Sequence, residues 1–337
     1  MRRLRWPFAA MLVAAAMAVS PAKAADSVIQ GITNAEDLIA TPDGRWVIAS
    51  SMAGGGQAQG GILLIEAGAR RVTRAELAKA PGTARCPAGF DPAVFASHGV
   101  ALRSTPSGDT LYVVNHGGRE AIERFRLVGA VSGPPRLEWE DCILFPAGGK
   151  ANSVAVAADG TLFAGNGGQA INEPAGVMGE ILTWSEAGGW RMVPGTRRLS
   201  WNGLVVTPDG GRIYAATWTE RRVYEFVLNG DKPGRTVDTE FLADNVRWSN
   251  DGALLVAGQY GEPDEVRACH HSPQTLCALE WGLVRIDSAT MTVACRHRQA
   301  PGPKFSGATS ALAVGRELWV GTLRGQGVLV TEACGGG

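Results

Sequence analysis

Beyond residue 24 the chain has no apolar run of the roughly 20 residues needed to cross a bilayer, so nothing there reads as a membrane span. Basic charge is not in surplus either: 32 Lys and Arg stand against 32 Asp and Glu, and the electrostatic footprint of a nucleic-acid binder is missing. Aromatic residues make up only 7% of the chain, whereas Gly occurs 45 times. That balance disfavours long helices and suits short strands joined by tight turns. The sequence contains no Gly-x-Ser-x-Gly stretch, which removes an ordinary serine hydrolase with a nucleophile elbow. Histidine is scarce, with five in all, so any two that fall together carry information.

What is present begins with Arg2, Arg3 and Arg5, an apolar run from Trp6 to Val19, and small residues in Ala22-Lys23-Ala24. This is the layout of a secretory signal peptide over residues 1–24, cleaved before Ala25. A membrane anchor is the alternative, opposed by the shortness of the run and by Pro7 near its start. Removal of the segment leaves 28 basic against 32 acidic residues, and the mature chain, 25–337, is expected in the periplasm or secreted. All six cysteines lie in that exported part, where an even count reads as disulfides. Cys269 and Cys277 bound a short loop and are expected to pair; Cys86 with Cys142 and Cys295 with Cys334 complete the expected set. A zinc site using His270 and His271 is the rival reading, but the spacing matches none of the usual zinc patterns.

Internal repetition decides the architecture. Six strand-turn-strand units recur at 38–50, 100–115, 154–166, 204–217, 246–258 and 310–322, spaced by 42 to 64 residues. After most of them comes another pair of apolar runs, such as Glu180–Trp184 with Trp190–Val193, so the unit is a four-stranded meander. That period belongs to propeller blades rather than to helical solenoids. The expected fold is all-β, a six-bladed β-propeller of four-stranded antiparallel blades in a single domain. Its last blade has only three obvious strands, and Asp26–Ile32 is expected to supply the fourth, closing the ring and covering its edges.

Four blades share a second regularity. Glu36, Asn152, Asn202 and Asp244 each stand seven residues before a turn aspartate: Asp43, Asp159, Asp209 and Asp251. Residues at equal phase in a ring of repeats converge on its axis, and oxygen-bearing side chains gathered at one point suit a hard cation such as Ca²⁺. Asn245 follows Asp244 and joins the set. Turn preference explains any one of these residues, since Asn and Asp favour such positions; it does not explain carboxylates and carboxamides on four blades at one phase. The second blade breaks the pattern with His98, and His116 follows the other end of the same hairpin. Antiparallel pairing brings those two ends to one side.

These stretches together resemble the paraoxonase/arylesterase family and, more widely, the gluconolactonases and senescence-marker-type lactonases. The likeness is carried in order along the mature chain by Asn34-Ala35-Glu36-Asp37-Leu38, Ser97-His98-Gly99-Val100, Val113-Val114-Asn115-His116, Ala151-Asn152-Ser153-Val154, Asn202 to Gly210 and Ala243-Asp244-Asn245-Val246. It implies a six-bladed, calcium-dependent hydrolase of lactones and aryl esters. It further implies a catalytic Ca²⁺ held by Glu36, Asn152, Asn202, Asp244 and Asn245, and a water-activating pair, His98 and His116. For a second, structural Ca²⁺, Asp37 and the carbonyl of Val100 match, but Ser153 replaces an expected Asp and weakens that site. Three departures stand out: a shorter segment from Gly167 to Pro174 where the family has a helical lid, Gln259 in place of a pocket histidine, and no cysteine between Ala25 and Arg85 to tie the chain ends together.

The expected partner is a small-molecule lactone or ester, with no nucleic acid and no membrane. A non-catalytic secreted propeller whose calcium only pins the blades is the alternative, and retention of both histidines beside all five oxygen ligands argues against it. A quinone-dependent sugar dehydrogenase would need a basic pocket and a catalytic His/Arg set that the sequence does not offer.

Overall fold

In a computed structural model of the chain, residues 26–54, 59–79, 86, 89–129, 133–169, 178–197, 201–228 and 233–334 are described. The expected signal peptide lies outside them, as does most of the segment from Gly167 to Pro174. Six sheets follow one another as the blades of a propeller, each running from the axis outwards in chain order. The innermost strands are Ala35–Ala40, Ser97–Thr105, Ala151–Val156, Trp201–Val206, Leu242–Trp248 and Ala308–Val314. Every blade has four antiparallel strands, and the second carries a short fifth, Leu77–Lys79, added in parallel to its outer edge. Blade 6 borrows its outermost strand from the segment ahead of blade 1: Ser27–Gln30 pairs antiparallel with Gly327–Thr331.

Both faces of each blade are covered by neighbours, which is why strands such as Trp46–Ser51 and Leu254–Gln259 are buried along their whole length instead of alternating. Among the described residues the apolar core is accordingly six layers between blades, with a small seventh cluster of Met52, Leu242, Val266 and Leu323. Between blades 1 and 2, for example, Trp46, Ile48 and Ile62 meet Val100, Leu111 and Phe125. Between blades 6 and 1, Ile29 and Ile32 of the borrowed segment pack with Leu38, Val47 and Val330. Each such side chain contributes about 1.5–3 kcal/mol on burial, so the closing segment is held by packing as well as by its ladder.

The four turn aspartates are one device used four times. Each accepts the backbone N–H two residues on: Asp43 from Arg45 at 3.1 Å, Asp159 from Thr161 at 2.8 Å, Asp209 from Gly211 at 3.0 Å and Asp251 from Ala253 at 3.3 Å. Such side-chain turns set strand length and therefore phase. The cysteines pair as expected, with Cα separations of 5.3 Å for Cys86–Cys142, 5.9 Å for Cys269–Cys277 and 5.5 Å for Cys295–Cys334. Cys269 does not sit in a pinched loop, however. It lies in the last turn of a helix, Pro263–His271, inserted between the second and third strands of blade 5. Pro263 sits at the helix start, and the Glu262 N–H donates to Glu265 Oε2 at 3.0 Å, so the helix is started locally even within an all-β chain.

Candidate active site

At the same point of every inner strand the register with the second strand slips, so that two residues face one. The slips fall at Glu36, His98-Gly99, Asn152-Ser153, Asn202-Gly203, Asp244-Asn245 and Thr309-Ser310. Bulges re-aim side chains, and here six of them turn one residue per blade towards the mouth of the channel. The inner strands crowd one another at this point. A Cβ on Gly203 would lie 2.3 Å from the Asn245 Cα, which accounts for the glycine. The sixth blade contributes Thr309.

Glu36, His98, Asn152, Asn202, Asp244 and Thr309 line a single cleft of about 360 Å³. Three of its oxygens have no partner: Glu36 Oε2, Asn152 Oδ1 and Asn202 Oδ1 are buried acceptors without a hydrogen bond. Buried polar atoms are rarely left so, and three converging acceptors call for a donor or a cation. Glu36 Oε1 accepts from Asn245 Nδ2 at 2.7 Å, and Asp244 Oδ2 accepts from Gln259 Nε2 at 2.8 Å. Asn245 thus braces Glu36 from behind and is not part of the cleft wall. Gln259 holds Asp244 and the carbonyl of Ala308 together. Burial and the neighbouring Glu36 carboxylate push Asp244 well above the usual carboxylate range. Burial also opposes ionisation of Glu36, but His98, Asn245 and Arg247 together hold it below its ordinary value.

Among the described residues, no three His, Cys, Asp or Glu side chains gather as a metal cluster. An ion here must use amide oxygens beside carboxylates, a donor set that suits Ca²⁺ and not Zn²⁺. Cys269 and Cys277 are joined to each other, so the zinc reading of His270 and His271 falls away.

His98 and His116 meet as the hairpin geometry requires, with Nδ1 of the first 2.8 Å from Nε2 of the second. The sequence reading missed the next member. Glu120, just before the third strand of the blade, lies 2.8 Å from His116 Nδ1 through Oε2 and accepts the Ala151 N–H at 2.7 Å through Oε1. A carboxylate there places a proton on His116 Nδ1, so in the neutral dyad His116 Nε2 accepts from His98 Nδ1–H. The lone pair of His98 Nε2 is then directed to the cleft, 3.5 Å from Glu36 Oε1. Burial works against charge on His98, but Glu36, with Asp244 and Asp37 behind it, outweighs burial and raises its pKa; burial lowers that of His116.

The helix Pro263–His271 lines the cleft through Val266, Arg267, His270 and His271, and Met52, which also lines it, packs with Val266. Arg267 lies over the ring of Trp218, 5.1 Å from its centroid. The disulfide at Cys269 and a buried arginine, Arg324, which donates to the His270 carbonyl, pin the helix end. Burial and the charge of Arg324 bring His270 down to about 4, so it presents a neutral ring.

No family model matches the sequence, and no curated protein matches it. Solved structures share its six-bladed fold. One is described as a candidate gluconolactonase, with a TM-score of 0.59 and 17% identity over 94% of both chains. A luciferin-regenerating enzyme matches with a TM-score of 0.56 and 14% identity over 92% of this chain and 96% of its own. A chain of the nidogen/laminin complex matches at 0.50 and 11%, over 81% and 84%. The resemblance noted in the sequence therefore holds at the level of the fold. Since the same fold occurs in a chain described as an enzyme and in one of a nidogen/laminin complex, it does not itself define a function.

Proposed function

We propose that the protein is an exported, calcium-dependent hydrolase of lactones or activated esters. The observation that carries this reading is the meeting of three donor-less buried oxygens with an aimed histidine in one cleft. Glu36, Asn152, Asn202 and Asp244 would hold the ion, with Asn245 keeping Glu36 in place. A bound Ca²⁺ supplies the positive charge that polarises an ester carbonyl and offsets the negative charge developing on its oxygen.

The chain's own residues supply the rest. His98 Nε2 takes a proton from the attacking water, His116 receives the His98 Nδ1–H bond and keeps the ring in the reactive tautomer, and Glu120 keeps His116 oriented. Trp201, Trp218 and the helix wall exclude solvent and present apolar surface to the acyl or ring carbons. Three disulfides fit an oxidising compartment, consistent with export. Among the described residues no helix is long and apolar enough to cross a membrane.

A panel of γ- and δ-lactones and aryl esters, assayed with calcium and after chelation, tests the proposal. Hydrolysis that disappears on chelation and returns with calcium is expected. Binding of these compounds without turnover would instead mark a ligand-binding propeller. Freeing the helix wall with Cys277→Ser is expected to raise KM about three- to tenfold and to change kcat by less than about twofold, because the substrate loses part of its positioning surface and not its reacting groups. Steady-state kinetics on the best substrate of the panel reads this directly; an unchanged KM would place the helix outside the substrate's path.

A further inference from the structure

Beside the cleft, Arg247 reaches into the channel from the inner strand of blade 5 and is only 6% exposed. Its guanidinium meets oxygens of blades 1 and 2. Nε donates to the Leu38 carbonyl at 2.9 Å, and Nη2 donates to the Val100 carbonyl at 2.8 Å and to the Asp37 carboxylate in close contact. Asp37, fully buried, also accepts the N–H groups of Val100 and Leu38, each at 2.9 Å. One carboxylate and two carbonyls thus converge on one buried spot near the axis, the kind of oxygen set that seats a hard cation. These include the two donors, Asp37 and the Val100 carbonyl, that the sequence offered to a second Ca²⁺. The third, Ser153, is turned away, its hydroxyl donating to the Asn202 carbonyl at 2.5 Å. Where a second ion was expected at Asp37, Val100 and Ser153, Asp37 and the Val100 carbonyl take the Arg247 guanidinium instead.

We propose that Arg247 is a covalently supplied occupant of a cation seat, replacing a structural metal ion and joining blades 1, 2 and 5. A tethered guanidinium cannot dissociate, so this junction does not depend on free calcium. It also satisfies three acceptors in fixed directions, which a mobile ion would do only at the cost of its hydration. Deleting the side chain leaves a buried carboxylate and two carbonyls around a vacancy, and that vacancy is a divalent-cation site.

Calcium bound per chain is to be counted by equilibrium dialysis and metal analysis on the wild type and on Arg247→Ala at equal free calcium. The variant is expected to bind one ion more than the wild type, whatever the wild-type count. Calcium should raise its Tm by about 5 °C or more beyond the effect on the wild type. Arg247→Lys, which keeps a tethered cation, should gain no ion. If the alanine variant needs calcium to fold, refolding on calcium addition is the same result. Three outcomes overturn the proposal: a wild type that binds two ions, a folded alanine variant that gains none, or an alanine variant that stays unfolded in millimolar calcium. A wild type that binds no ion refutes the catalytic calcium and leaves this comparison intact.

Discussion

Replacement of His98 by Gln is expected to lower kcat/KM for a hydrolysed lactone by about 10²–10⁴-fold, the usual worth of a positioned general base. Calcium affinity should change by less than about threefold, since His98 approaches the donor set only through Glu36 Oε1, at 3.5 Å. The loss should appear in kcat, because the side chain acts on the attacking water and not on substrate binding. Glu120→Gln refines the test. An amide cannot hold the proton on His116 Nδ1 as a carboxylate does, so the dyad is free to adopt the opposite tautomer, with the His98 lone pair directed away from the cleft. A drop of about 10–10³-fold in kcat with KM little changed is expected. Full activity in His98→Gln would remove the dyad from the chemistry and leave Asp244 or Glu36 as the base.

Glu36→Gln should act on the other half of the site. Glu36 is 1% exposed, and one of its oxygens is an acceptor without a partner, so the substitution removes a full charge from the proposed donor set and introduces an NH₂ among acceptors. Calcium affinity is expected to fall about 100-fold or more. Activity should be lost at ordinary calcium and recovered in part as calcium is raised, whereas His98→Gln should not respond to added calcium. Calorimetric titration with calcium, paired with activity measured over the same range, separates the two variants. Unchanged affinity in Glu36→Gln would mean that no ion rests on that carboxylate.

Much of the architecture could be read without coordinates because it is periodic. Turn aspartates that accept the N–H two residues on recur in four hairpins, and with them the seven-residue offset that brings Glu36, Asn152, Asn202 and Asp244 to one cleft. The borrowed strand at Ser27–Gln30 was legible for a related reason, since blade 6 is one strand short in sequence. The helix Pro263–His271 was not. It is a single insertion, carries two histidines and a disulfide, and shares no repeat with anything else in the chain. Its short spacing to Cys277 reads equally well as a tight loop.

Sequence alone determined the blade count, the ring closure and the ring of oxygen-bearing side chains, because repeat period and strand phase are local properties that the chain writes many times. Tertiary structure alone decided what those side chains do to one another. Asp37 and Arg247 are 210 residues apart, Glu36 and Asn245 are 209 apart, and no pattern along the chain links either pair. Glu120 acts through its angle to His116, and Gln259 through its reach from the second strand of blade 5 to Asp244. The two long-range pairs depend on where separate blades come to rest around the axis, and the two within a blade on the reach of a side chain across it, neither of which is written in the order of residues along the chain.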